Sequence, residues 1–253
     1  MSSSWRRLPD HSYERPLGTL EAAFYWLADF SRTSDMIRCC HVKVVAGNID
    51  EIIGLPNVVR TWSNVKIRFP LLGSRIYERE DDIFLNVAQD RLLTHQPNEI
   101  SFYGVSSSSE AVHIADSMLE MAQLSNDLLV RIAVAKDQSR TDSFYFLFTV
   151  AHVIADGLSC MSIIKTFVNG LCDISSQAVQ PTWVDRLEIS VSTEQLNPAA
   201  RLNKARQRWR RAIAATISSR MLAKLKASVL WDSSTKSLLN SLIGWAWASS
   251  ESV

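Results

Sequence analysis

The chain has 253 residues, 47% hydrophobic and 21% charged, a balance that excludes disorder throughout and suits one large domain or two small ones. Lys and Arg number 27 against 26 Asp and Glu, so the net charge of +1 supplies no whole-chain field toward nucleic acid or anionic lipid, and any polyanion site must be local. The four cysteines, Cys39, Cys40, Cys160 and Cys172, form no CxxC pair, which argues against a zinc site or a disulfide framework and for reduced thiols in a cytoplasmic protein.

The N-terminus, MSSSWRRLPDHSYERP, lacks the apolar core of a signal peptide, and no window approaches the roughly eighteen apolar residues of a membrane helix. Residues 17–30 carry a helical stripe at Leu20, Ala23, Phe24 and Leu27, with Thr19 as a candidate cap. His41 to Ala46 alternates like a strand, and Ile49 to Val65 reads as a helix interrupted near Pro56. Arg75 to Arg79 and Ile83 to Val87 flank an acidic turn as a hairpin. A serine loop at 106–109 precedes a helix over Ala111 to Gln123, and Leu128 to Ala135 is rich enough in branched residues to be a strand. Phe144 to Val150, FYFLFTV, has the continuous apolarity of a central strand covered on both faces, and Met161, Ile164, Phe167 and Val168 follow at helical spacing.

Composition changes after Pro181. Between Gln195 and Trp231 lie nine basic residues and no acidic one, so the remainder of the chain carries −8. Leu202, Ala205, Trp209, Ile213, Ile217, Met221 and Leu225 recur every three to four residues, predicting an amphipathic helix with a basic outer face and an apolar stripe that packs. Contact with nucleic acid through 201–226 is the minor reading of that helix; a solvated face is the main one. The stretch from Ser228 holds Trp231, Trp245 and Trp247 among serines and predicts no clear strand.

His152, Asp156 and Gly157 form HxxxDG between the apolar strand and the following helix. A loop at the carboxyl end of a central strand can present one polar side chain into a cleft, and an imidazole there suits general-base work near neutral pH. Gly157 would allow a tight turn beside the imidazole, and Ser159 could cap the helix. The other histidines, His11, His41, His95 and His113, have no metal-ligating spacing, and the adjacent Cys39 and Cys40 read as buried thiols. With eight glycines and no GxSxG, Walker loop or GxGxxG, the serine-hydrolase, nucleotide-hydrolase and Rossmann readings drop out.

The strand, HxxxDG and helix resemble the active-site signature of the CoA-dependent acyltransferase superfamily, which includes chloramphenicol acetyltransferase, BAHD and fungal trichothecene acetyltransferases, and condensation domains. Asp156 to Ser159 resembles the DGxS ending of condensation domains, Pro16 to Glu21 their opening helix, and Arg68 to Ile76 their hPlLR.r segment. The resemblance implies an α/β fold with a mixed β-sheet flanked by helices: a chloramphenicol acetyltransferase-like N-terminal lobe over 1–185, then a linker, a C-terminal helical extension and an incomplete second lobe over 186–253. It implies that His152 is the general base for transfer from acyl-CoA, or from a carrier-bound acyl thioester, to a hydroxyl or amine of a small metabolite, with no tightly bound cofactor or metal. Asp156 would be structural, paired with Arg75, or else with Arg38 or Arg131. Ala151 stands where condensation domains carry a second histidine, which favours ester or amide formation over peptide-bond formation. With one lobe, the site is expected to be completed by a homo-oligomer or a complementing second lobe. The alternative is a truncated, non-catalytic lobe that acts by associating with another chain.

Overall fold

The computed structural model describes residues 4–31, 35–80, 82–120, 124–140, 142–173 and 182–192, and part of 203–220. In chain order the elements are β1 (Arg6–Arg7), β2 (Tyr13–Pro16), α1 (Thr19–Ser31), β3 (Met36–Lys43), α2 (Ile49–Ile52), α3 (Leu55–Arg68), a 3-10 turn (Pro70–Gly73), β4 (Ser74–Arg79) and β5 (Asp82–Val87). They continue with α4 (Gln89–Leu93), β6 (Ile100–Val105), α5 (Ser108–Glu120), β7 (Val130–Asp137), β8 (Ser143–Val150), α6 (Gly157–Cys172) and α7 (Trp183–Glu188). An antiparallel sheet runs β1-β2-β5-β4, and a mixed sheet runs β3-β8-β7-β6, with β6 and β7 parallel. The fold is therefore α/β, with helices flanking a mixed sheet, as the sequence predicts.

Continuous apolarity puts β8 in the interior: all eight of its residues are buried, between β3 and β7. Phe146 and Phe148 meet Phe167 of α6 at 4.9 and 5.5 Å between ring centroids, and Trp62 of α3 stands edge-on to Phe167 at 6.0 Å. The alternate residues Tyr145 and Leu147 pack against Ala111, Ala115 and Met118 of α5. Period-two alternation thus serves two helix layers at once. Each fully buried aromatic of this kind contributes about 1.5–3 kcal/mol through area removed from water.

Among the described residues two ion pairs are buried, one between segments distant in sequence and one between a strand and the helix that follows it. Lys66 of α3 lies 3.2 Å from Glu99, both side chains essentially inaccessible, and Trp62 Nε1 donates to the same carboxylate at 2.8 Å. Burial pushes the Lys66 ammonium below its ordinary value while the Glu99 charge opposes the shift. Arg15 of β2 makes a bidentate pair with Glu21 of α1 at 2.6 and 2.8 Å, and the Gly18 N–H donates to Glu21 at 2.8 Å. Glu21 therefore turns inward together with Tyr25, four residues on.

That orientation determines which apolar residues of α1 are covered. Leu20, Ala23 and Leu27, three members of the sequence stripe, are exposed, and Phe30 is 80% exposed. Thr19 is the first helical residue and not the cap; the backbone at Gly18 closes the first turn. The strand expected over 41–46 begins earlier, at Met36, and ends at Lys43, so Cys39 lies exposed on an edge strand and is not a buried thiol. Residues 108 and 109, expected in a loop, open α5.

The chain divides into two compact units, residues 1–196 and 197–253. In the second, the described residues between 204 and 220 are helical, and Trp209, Ile213 and Ile217, four residues apart, are exposed where a packed stripe was expected. The rest of the basic helix beyond 220 and the Trp–Ser stretch lie outside the described residues.

Replacing Glu21 with Ala should lower stability by about 3–5 kcal/mol, because the Arg15 guanidinium would be left buried and unpaired. The joint Arg15→Met, Glu21→Leu change should cost far less; urea denaturation of the three proteins checks the ordering.

Candidate functional site

The buried strand β8 delivers the HxxxDG loop. The Ala151 N–H donates to Leu129 O at 2.9 Å, and the Ile154 N–H closes a turn on Ala151 O at 3.1 Å, so His152 sits at the first bend beyond the sheet. Its ring stacks on Phe24 of α1, with centroids 3.8 Å apart and planes within 6°. Nδ1 is sealed from solvent, without a hydrogen-bond partner among the described residues. Nε2 is thereby left as the nitrogen through which the ring can meet a ligand.

His152 lines a cleft of about 570 Å³ with Phe24, Tyr25, Asp29, Asp35 and Asn126, among others. Ile76 and Leu129 supply apolar wall. The Tyr25 hydroxyl donates to Glu78 at 2.8 Å and accepts from Asn126 at 3.2 Å, which fixes one side of the cleft. Burial, foremost, raises the Tyr25 phenol pKa, and the charges of Glu78 and Asp29 add to the effect. Burial likewise raises that of the Asp35 carboxyl.

Asp156 is the N-cap of α6: its backbone is extended and its carboxylate accepts from the Ser159 N–H at 2.8 Å. Hydrogen bonds from Ser159 lower the Asp156 pKa most, and His152 adds a smaller Coulombic contribution. Ser159, expected as the cap, is thus the residue being capped. Gly157 does not need glycine for its backbone: its φ lies outside the left-handed region, and an added Cβ would meet nothing nearer than Arg38, at 3.5 Å.

Arg75, the expected partner of Asp156, is not brought to this loop. It lies on β4, and its Nε donates to Asn86 Oδ1 at 3.1 Å. The reason is strand alternation: Ile76 is buried and lines the cleft, so its neighbour faces the other way. The arginine beside the loop is Arg38, one of the two rivals; the other, Arg131, lies on β7 opposite Thr149. Phe24 and Asp35 were not singled out as site residues from sequence. Phe24 was legible only as one member of an apolar stripe, and Asp35 precedes β3 without any motif.

On the other side of the loop, Ile154 and Ser159 border a second cavity, about 1100 Å³, between α3, α6 and α7. Among its described lining residues are Arg68, Lys165 and Arg186, several hydroxyls and one acid, Asp173. Among the described residues there is no group of three or more His, Cys, Asp or Glu placed to hold a metal ion, and no helix long and apolar enough to cross a membrane.

No protein-family model matches the chain, and no curated protein matches it in sequence. Solved structures do. The trichothecene 15-O-acetyltransferase of Fusarium sporotrichioides superposes with a TM-score of 0.57 at 10% identity, over 73% of this chain and 42% of that one. The starter condensation domain of rhizomide synthetase gives 0.51 at 13% identity, over 74% and 46%. A variant of that domain in complex with C8-CoA gives 0.53 at 10% identity, over 72% and 42%.

The chain carries their fold. It spans less than half the length of these acetyltransferase and condensation-domain structures. At such identities the likeness concerns architecture, and chemistry has to be argued from the residues of the loop.

Asp156→Ala should destabilise the protein by about 1 kcal/mol through loss of the cap, and Asp156→Asn by less. The Asp156 pKa is lowered in the folded state, so its contribution is present above the ordinary carboxylate value and lost as pH falls through the lowered one. Denaturant titrations of wild type and Asp156→Ala at neutral pH and near pH 3 should converge at the acid end.

Proposed function

We propose that the chain contributes an acyl-transfer site in which His152 is the general base. The observation that carries this reading is the placement of one imidazole at the end of a fully buried strand, held by Phe24 and presented to a cleft of substrate size. The fold shared with an acetyltransferase and with a condensation domain that binds C8-CoA supports the choice of donor. The donor is an acyl-CoA or a carrier-bound acyl thioester, and the acceptor is a small metabolite with a hydroxyl or amine.

His152 Nε2 takes the proton from the acceptor nucleophile as that atom attacks the thioester carbonyl. The resulting tetrahedral centre collapses with cleavage of the C–S bond, and the imidazolium returns its proton to the departing thiolate. The products are acylated acceptor and free thiol, so neither an oxidant nor a metal is required for balance. Asp156 acts at a distance from this chemistry, by fixing the loop and the start of α6.

A second reading is favoured by a separate observation. Leu20, Ala23 and Leu27 of the α1 stripe are exposed together with Phe30, as are Leu158 and Met161 in the first turns of α6, and these two helices flank the His152 loop. Apolar surface gathered at the mouth of a cleft marks an association surface. Either a second lobe or another copy covers it and completes the site, or the lobe acts by association alone.

His152→Ala should reduce thiol release from acetyl-CoA, assayed against a panel of small alcohols and amines, by about a hundredfold or more. Unchanged turnover would overturn the assignment. Leu27→Glu with Phe30→Glu should suppress binding of a hydrophobic dye and any self-association seen by sedimentation. A wild-type chain that is monomeric and does not bind the dye would count against the association surface.

A further inference from the structure

The two cavities beside the HxxxDG loop carry opposite charge. The larger has Arg68, Lys165 and Arg186 against Asp173. The His152 cleft has Asp29 and Asp35 and, among its described lining residues, no Lys or Arg. Asp35 immediately precedes β3 and is partly buried, and neither it nor Asp29 forms an ion pair with another described residue. Glu78 stands behind the same wall, bonded to the Tyr25 hydroxyl.

A partly buried carboxylate with no ion-pair partner among the described residues is costly, and the most direct relief is a cation from the ligand. Phe24 and Tyr25 line the same cleft, and aromatic lining favours an ammonium over a neutral group. An anionic ligand would meet repulsion from both acids, and a neutral one would gain nothing from them.

We propose that the His152 cleft selects a cationic acceptor, a small metabolite whose ammonium group is held by Asp35 and Asp29 while a separate hydroxyl or amine faces His152. The held ammonium is not itself the nucleophile, since its lone pair is occupied by the proton the carboxylates stabilise. Acyl transfer then proceeds at the second group, with the proton passing to Nε2 as described above. The inference rests on the reading of His152 as base, and it names Asp35 and Asp29 as residues that determine acceptor class.

The test uses the full chain and compares benzylammonium, benzyl alcohol and benzoate by ligand-observed NMR titration. Benzylammonium should bind about fivefold or more tightly than benzyl alcohol, and benzoate most weakly. Asp35→Asn, close to isosteric, should reduce the preference toward unity, Asp29→Asn should reduce it partly, and Asp10→Asn, away from the cleft, should leave it unchanged. Circular dichroism melts establish that each variant is folded. Equal affinity for amine and alcohol in the wild type, or a preference that survives both cleft substitutions, would overturn the proposal. Binding needs no acyl transfer, so the two readings fail separately. Amine preference without transfer would remove the acyl-transfer assignment and leave the cationic selectivity standing, whereas transfer without amine preference would do the reverse.

Discussion

The bidentate contact between Arg15 and Glu21 is the constraint on which the candidate site depends. Both side chains are out of water, a state that is tolerable only when the two charges satisfy one another, and the Gly18 N–H supplies one further bond to the carboxylate. A helix bound to the core through a glutamate at its third residue has no rotational freedom left. Tyr25, one turn further, must also face inward, and Phe24 beside it must lie against the HxxxDG loop, where it meets the His152 ring. The other members of the apolar stripe, Leu20, Ala23 and Leu27, are turned out by the same rotation. One ion pair thus both seats the imidazole and uncovers the surface around it.

Opposite α1, the loop is held by the strand that feeds it. Phe146 and Phe148 close against Phe167, and Phe167 lies on the helix that Asp156 caps, so strand and helix on either side of the loop share one aromatic cluster. Lys66 and Glu99 fasten α3 behind that cluster, where Trp62 is both a ring in the packing and a donor to the glutamate. The loop has little room to relax, because both of its ends are set by close packing. Such a loop suits a group whose work depends on position.

What could be read from the sequence divides along the same physical lines. β8 and α6 were legible because their patterns are strong and local: seven nearly uninterrupted apolar residues, then a helical period. The β4–β5 hairpin was legible from its acidic turn. β2 was not, since Tyr-Glu-Arg-Pro has no apolar alternation; it is held by pairing with β5, and its polar side chains are buried through ion pairs. β6 was missed for a related reason, as Gly104 interrupts a six-residue strand whose place is fixed by β7. The stripe on α1 misled because periodicity identifies a face without saying what covers it, and a buried glutamate overrides it. At the loop, the histidine was legible from its context. Phe24 and Asp35 were not, because they arrive from elsewhere in the chain by topology that no spacing encodes, and Arg38 was legible only as one of three candidate arginines.

Charge shows the same limit most clearly. A net charge of +1 excluded a global field, yet it averages over an acidic cleft on one side of the His152 loop and a basic cavity on the other. Val153 borders the first and Ile154 the second, so the change of sign falls between adjacent residues of one turn. The consequence for recognition is that ligands of opposite charge can be drawn to the same loop from different directions without competing for one site. Within the chain the arrangement arises from which face of α6 and which end of α1 border the loop, not from any local run of charge.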